Sequence, residues 1–413
     1  MGARSKEARH RWFSRLPPDA SSSFLPCKRP KSVAFVLWIR PSCFLRESLP
    51  AELSGLPGLP LPPQAPTNTM NCGLPEAALS VIDWGRLKSG DVNEGARLLS
   101  ACDDQGFFYL DLSSEPSFLH DHKSVLHFMD QYFHQGLADK MKDDRQSDTH
   151  GYEPVATSTG ALNTLPDYYE SLKASRDELH GDGRNLAPAV CDRQDLFLRF
   201  SDMMHQMVIA ILQELDCQLG FGGDRASFQD FHRKDAESLT TLSMFRYPKQ
   251  ETLDLGVGHN KHTDIGTLTF LLCDQWGLQV LSKDPAGWRF VAPREGHAVI
   301  NVGDTLRFLS GNRFRSAVHR VIPTQRLQHE DRYSIAYFLR AANDTQFTDS
   351  AGRQVSAKQW HDEKFDVFRE THEEQEKMPI LTGGMERLEN LPGIWCGVRL
   401  TDGICHRLGA EDC

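Results

Sequence analysis

From Leu239 onward the chain breaks into short apolar runs at close spacing, and few folds accept that pattern. The runs are Leu239 to Tyr247, Thr267 to Leu272, Leu278 to Leu281, Trp288 to Val291, Ala298 to Val302, Thr305 to Leu309, His319 to Ile322 and Tyr333 to Leu339. Turn formers part them, among them Asp284-Pro285, Pro293-Arg294 and Gly311-Asn312. Short strands bounded in this way predict an antiparallel sandwich or jelly roll.

The chain before this region reads differently. Leu79 to Asp83 is an apolar strand. Asp91 or Asn93 can cap a helix through about Gln105, with Leu98, Leu99 and Cys102 on one face and Gly106 closing it. Phe107 to Leu110 reads as a strand, and Glu115 to about Gly136 as a second helix. Asp192 can cap a long helix to about Leu219, with Leu196, Phe200, Met203, Met207, Ile211 and Leu215 on its core face. Those methionines read as packing. Between about Met141 and Ala189 the chain is polar, with Gly151-Tyr152 and Tyr168-Tyr169 as aromatic islands. It predicts a long loop that covers a site, a solvated excursion being the alternative. After the strands, Ser356-x-x-Gln359 opens a capping box for a helix carrying Trp360, Phe365 and Phe368, which ends before Pro379.

Within the strand region, His262 and Asp264 stand two residues apart. Residues i and i+2 of a strand share a face, so the two can converge on one point. His319, opening a later strand, can face the same interior. Two imidazoles and one carboxylate on one face of a metal ion leave three positions open, the arrangement of non-haem Fe(II) oxygenases. Each member alone is a weak signal: a lone His-x-Asp is commonly a surface accident, and a lone buried His commonly a structural one. His259 with His262 could form a zinc pair, but i and i+3 do not converge on a strand, and His259 ranks as a flanking residue. Arg332 and Ser334 repeat the i, i+2 spacing. A guanidinium fork with a hydroxyl suits a carboxylate, although an exposed arginine at a strand start would look the same. Tyr247 could add a donor or could simply finish its strand.

Composition narrows the function classes. The chain has 413 residues and a formal net charge of -10, which argues against nucleic acid or an anionic membrane as the main partner. Its ten cysteines are scattered without a C-x-x-C pair, which fits a reduced, cytoplasmic protein. The apolar run Val33 to Ile39 is too short to span a bilayer. Residues 1–70 are rich in Pro, Ser and basic side chains. They are expected to be a disordered or dispensable extension, with an organelle-targeting peptide as the alternative.

The combined pattern resembles the isopenicillin N synthase-like family of Fe(II)- and 2-oxoglutarate-dependent dioxygenases. His262-Thr263-Asp264-x-Gly266-x-Leu268-Thr269 is similar to its first metal motif. Gly277-Leu278-Gln279-Val280, Asn301-x-Gly303-Asp304, Ser316-x-x-His319-Arg320-Val321 and Arg332-x-Ser334 follow in the family order. Ile82-Asp83, Gly106-Phe107-Phe108 and Gly151-Tyr152-x-Pro154 extend the likeness upstream, over about residues 78–345. The Gly258-His259-Asn260-Lys261 stretch is similar to fungal members that act in secondary metabolism.

The resemblance implies a mainly β fold with flanking helices around a double-stranded β-helix (jelly-roll) core. It implies a helical and β domain over 78–230 and a jelly-roll domain over 236–345; the residue pattern adds a C-terminal helical segment over 346–386 and leaves a tail over 387–413 unassigned. It makes His262, Asp264 and His319 the Fe(II) ligands, and Arg332 and Ser334 the seat of the distal carboxylate of 2-oxoglutarate; Tyr247, from its place in the chain, is a further candidate for that cofactor site. Ascorbate is the expected reductant. The expected protein is a monomeric oxidoreductase that uses O2 to hydroxylate, desaturate or cyclise a small metabolite, releasing succinate and CO2. An oxidase of the same fold that uses no 2-oxoglutarate, or a non-catalytic small-molecule-binding jelly roll, are the competing functions.

Overall fold

Side chains that alternate along each strand must choose between two neighbours, and here both neighbours are filled. A computed structural model describes residues 74–162, 165–221, 226–252, 256–283 and 287–385. The expectations for residues 1–70, the tail 387–413 and the Asp284-Pro285 turn lie outside the described residues.

The described chain opens with β1 (Ser80–Asp83), α1 (Trp84–Lys88), α2 (Val92–Asp104), β2 (Phe107–Asp111), α3 (Pro116–Phe133) and α4 (Leu137–Lys140). It continues with β3 (Gly151–Glu153), β4 (Glu170–Ser175), α5 (Arg176–His180), α6 (Pro188–Cys191), α7 (Gln194–Gln218), β5 (Thr241–Tyr247), β6 (His259–His262), β7 (Leu268–Leu272) and β8 (Leu278–Leu281). Then come β9 (Trp288–Phe290), β10 (His297–Val302), α8 (Asp304–Leu309), β11 (His319–Val321), β12 (Arg332–Leu339), β13 (Gln346–Thr348), β14 (Gln354–Ser356), α9 (Ala357–Phe368) and α10 (His372–Lys377).

An eight-stranded sheet runs β1-β2-β10-β7-β12-β5-β4-β3, and a four-stranded sheet runs β6-β11-β8-β9. All pairings in these sheets are antiparallel except β1 with β2. The alternation is explicit. Phe108, Leu110, Leu242, Met244, Leu268, Phe270, Ile300, Ile335 and Tyr337 join the core formed with α2, α3 and α7. Their neighbours Phe107, Tyr109 and Val299 turn the other way and meet Leu278 and Val280 of the smaller sheet. Removing one large member of the first cluster, for instance Phe270→Ala, costs about 3–5 kcal/mol.

Three expectations need correction. Thr305 to Leu309 is not a strand but the helix α8. Its opening amides are claimed by the preceding loop: Asp304 N–H donates to the Asp264 carbonyl at 2.7 Å, and Thr305 N–H to Gly266 at 3.0 Å. Those tertiary bonds outweigh the β preference of Thr and Phe. Second, the supposed loop from Met141 to Ala189 contains β3 and β4, and β4 is buried along its whole length. Its polarity hides it, because Glu170 pairs with Arg246 at 3.0 Å and Lys173 with Glu153 at 2.7 Å. Third, Asp192 ends α6 rather than capping α7, whose N-cap is Arg193. The face of α7 is also rotated, with Phe197 and Met204 fully buried and Leu196 and Met203 packed at the edge. The expected helix after Ser356 is α9. The Ser356 hydroxyl accepts from Gln359 N–H at 3.1 Å, but the Gln359 side chain turns to Glu363, so half of the capping box forms.

Candidate metal centre and its two cavities

Strands β6 and β11 pair so that His262 faces His319 directly. Strand β6 ends at His262, so Asp264 reaches the same point from the turn that follows rather than from a continuing strand. Each of the three residues offers one ligand atom, and these atoms lie within 4.8 Å of one another. Asp264 Oδ1 is 3.6 Å from Nε2 of both His262 and His319.

The hydrogen bonds around the cluster decide which atoms face inward. His262 Nδ1 lies 2.8 Å from the Asn260 carbonyl and His319 Nδ1 lies 3.1 Å from the Ala317 carbonyl. A carbonyl only accepts, so both Nδ1 atoms carry the proton. In the neutral ring Nε2 is then left as a lone pair directed at the cluster. Burial, with His262 beside it, pushes His319 down to about 4, which keeps that ring neutral at neutral pH. Asp264 Oδ2 is held by Thr269 Oγ1 and Asn301 Nδ2, each donating at 2.6 Å, which turns Oδ1 toward the imidazoles. Burial raises the Asp264 carboxyl, but the facing His319 and His262 and the Asn301 hydrogen bond hold it well below the usual carboxylate range. Two neutral imidazole nitrogens and one carboxylate oxygen, oriented by outer partners, fit a divalent metal such as Fe(II).

The loop that carries Asp264 is fastened from behind. Lys364 of α9, completely buried, donates to Thr263 Oγ1 and to Asp304 Oδ2, each at 2.7 Å. Thr263 in turn donates to Asp304 at 3.0 Å. Gly266 is required by packing, because a Cβ there would stand 2.3 Å from the Leu339 carbonyl. His259 stays outside the ligand cluster. Its ring stacks between Tyr169 and His262, at centroid distances of 5.0 and 4.4 Å.

Two cavities meet at the cluster, and His262, Asp264, Phe245 and Phe338 border both. The first also contains His319, Asn301, Tyr247, Arg332 and Ser334. Arg332 is 1 % exposed. Its Nε donates to the Trp276 carbonyl at 2.9 Å and its guanidinium lies 4.9 Å from the Tyr247 ring centre. Its Nη1 is buried with no partner, a vacant donor of the kind a carboxylate fills. Burial pushes the Tyr247 hydroxyl up to about 12, so it stays a donor. The second cavity is bounded by Tyr169 and Lys173, by Arg340 just after β12, and by Phe365 and Phe368 of α9.

All six residues singled out in the sequence therefore border one connected space. Four that matter to it carry no assignment from the sequence: Thr269, Asn301, Lys364 and Arg340. Thr269 and Asn301 stand in motifs without a role. Lys364 and Arg340 have no sequence signal.

Residues 238–341 match the 2OG-Fe(II) oxygenase superfamily, and residues 79–190 match the non-haem dioxygenase in morphine synthesis N-terminal family. The 2-oxoglutarate-dependent dioxygenase frbH of Dothideomycetidae sp. is 61 % identical over 311 residues, 75 % of this chain and 97 % of that protein. The 2-oxoglutarate-dependent dioxygenase gloE of Glarea lozoyensis is 49 % identical over 308 residues, 75 % of this chain and 93 % of that one. Among solved structures, a 2OG-Fe(II) oxygenase family protein from Caulobacter crescentus shares the fold. Its TM-score is 0.57 at 21 % identity, over 70 % of this chain and 99 % of that chain.

Proposed function

The chain belongs to the 2OG-Fe(II) oxygenase superfamily, and on that premise we propose that His262, Asp264 and His319 hold its Fe(II). Arg332 and Ser334, with Tyr247, receive the distal carboxylate of 2-oxoglutarate. The protein is an oxidoreductase, a non-haem dioxygenase that uses Fe(II) and 2-oxoglutarate. Bound at these residues, Fe(II) supplies the coupling of 2-oxoglutarate decarboxylation by O2, to succinate and CO2, with oxidation of an unactivated C–H bond.

The chain's own part is to position and to exclude. The observation that carries the ligand reading is the Asp264 carboxylate, with one oxygen occupied by Thr269 and Asn301 and the other facing two Nε2 atoms. The unpartnered Nη1 of Arg332 and the Ser334 hydroxyl supply donors for a carboxylate, and the Tyr247 ring covers the guanidinium from water. Phe245 and Phe338 add apolar surface to both cavities.

Residues 236–345 supply the proposed ligands, 78–230 four strands of the large sheet and helices packed on it, and Phe365 and Phe368 of α9 a wall of the second cavity. In this reading the substrate is a small metabolite of secondary metabolism, hydroxylated, desaturated or cyclised by a cytoplasmic monomer without a nucleic-acid or membrane partner. Among the described residues no helix is long and apolar enough to cross a membrane.

The test uses the full chain with Fe(II), 2-oxoglutarate and ascorbate, following metal binding by anaerobic titration and succinate by chromatography. Wild type binds one Fe(II) and forms succinate, and His319→Ala does neither. Undiminished turnover in His319→Ala sinks the ligand assignment.

A further inference from the structure

Strand β12 points its even-numbered side chains into the cavities: Arg332, Ser334, Ala336 and Phe338 line the first. The alternation carries on past the strand's end to Arg340, which lines the second. Arg332 and Arg340 are thus two guanidinium groups on one face of one chain segment, roughly 26 Å apart along extended backbone, with the metal cluster between the cavities they serve.

Arg340 is 8 % exposed, with its guanidinium 5.3 Å from the Phe338 ring centre. Its Nη1 donates to the Leu239 carbonyl and, at 3.1 Å, to Thr241 Oγ1. Its Nε is buried without a partner. The other basic side chains on this cavity are paired: Lys173 with Glu153 at 2.7 Å and Arg369 with Asp148. Arg340 forms no ion pair among the described residues. Burial pushes its pKa down to about 10, and the Asp264 and Asp148 carboxylates, which line the same cavity, oppose that shift without pairing with it. The group remains cationic at neutral pH, in a place where a buried cation without a directly paired counter-ion is costly.

We infer that the missing counter-ion is the primary substrate: Arg340 binds a carboxylate of a small organic acid and seats it in the second cavity. This rests on the reading of His262, Asp264 and His319 as the iron site, which identifies the neighbouring cavity as the one for substrate. One free guanidinium edge matches one planar carboxylate, whereas a buried phosphate calls for further donors. Tyr169, Phe365 and Phe368 supply the apolar wall for the body of the acid. Their exclusion of water strengthens the ion pair.

The experiment separates the two ends of the cavity. Full-length protein is loaded with Zn(II) to prevent turnover and saturated with 2-oxoglutarate, which occupies the Arg332 end. Short aliphatic, aromatic and α-amino carboxylic acids, each beside its primary amide, are then titrated by saturation-transfer NMR. At least one acid is expected to bind about tenfold more tightly than its amide, with that preference lost in Arg340→Gln and reduced severalfold in Arg340→Lys. Calorimetric 2-oxoglutarate affinity is expected to stay within about twofold in both variants, showing that the Arg332 end remains folded. If Arg340→Gln loses 2-oxoglutarate as well, Arg340→Lys decides. The inference is overturned if no acid outbinds its amide, if the preference persists in Arg340→Gln, or if it is unchanged in Arg340→Lys. Failure of wild type to bind 2-oxoglutarate instead removes the proposed function itself.

Discussion

Arg332 and Arg340 stand on the same face of the same segment, both buried, yet they are held in opposite ways. Arg332 commits its Nε to the Trp276 carbonyl and leaves Nη1 vacant, under the Tyr247 ring. Arg340 commits Nη1 to Leu239 and Thr241 and leaves Nε vacant, beside the aromatic side chains of α9. Only the first belongs to a recognisable motif. The contrast teaches that the informative feature of a buried arginine is the partner it lacks. By that measure the two ends of the cavity are alike: on the proposed reading each is a cationic seat for an anion, with His262, Asp264 and His319 between them.

The comparison can be broken most severely at the point the two ends share. His319→Ala is expected to reduce Fe(II) binding and succinate formation to background, read by metal titration and product assay. The next largest effect belongs to one end alone. Arg332→Gln should weaken 2-oxoglutarate on the order of a hundredfold in calorimetry, since truncating one member of a buried charge pair costs several kcal/mol. The acid-over-amide preference of the Arg340 end should survive it. Thr269→Val removes one of the two donors on Asp264 Oδ2. It should lower metal affinity about tenfold in competition with a chelator, with both carboxylate seats unaffected.

The smallest effect is a pH dependence confined to the surroundings of Arg340. His232 hydrogen-bonds Thr267, whose N–H donates to Leu339 beside it, and burial pushes His232 down to about 4. An unfolded histidine titrates near 6.5. Between these values the unfolded chain binds more protons, so this contribution to stability is fully present above about 6.5 and is lost as pH falls toward about 4. Urea unfolding at several pH values should show a shallower decline on acidification in His232→Gln than in wild type. An identical decline rejects that role.

How much of this is legible in the sequence follows from what each residue depends on. His262, Asp264, His319, Arg332 and Ser334 depend on strand alternation and short spacing, which a sequence carries openly. Even there the geometry differs in detail, for Asp264 reaches the cluster from a turn. The strand β4 is hidden because its buried polar residues are satisfied by partners distant in sequence, among them Arg246 for Glu170. Helix α8 reads as a strand because the bonds that start it come from the loop that carries Asp264, about 40 residues earlier. Arg340 is illegible for a different reason. The lack of a direct ion pair among the described residues is a property of the assembled space, and no spacing records it.

Helix α9 presents Phe365 and Phe368 to the second cavity and, one residue before Phe365, inserts Lys364 behind the loop that carries Asp264. On the proposed function, selectivity and metal retention would therefore fall on adjacent residues of one helix. An engineer who exchanges this helix to admit a new substrate also replaces the peg behind the loop that carries Asp264. A library that varies Phe365 and Phe368 while keeping Lys364 fixed should yield altered selectivity in metallated proteins, whereas whole-helix grafts lacking that lysine should yield mostly metal-free ones.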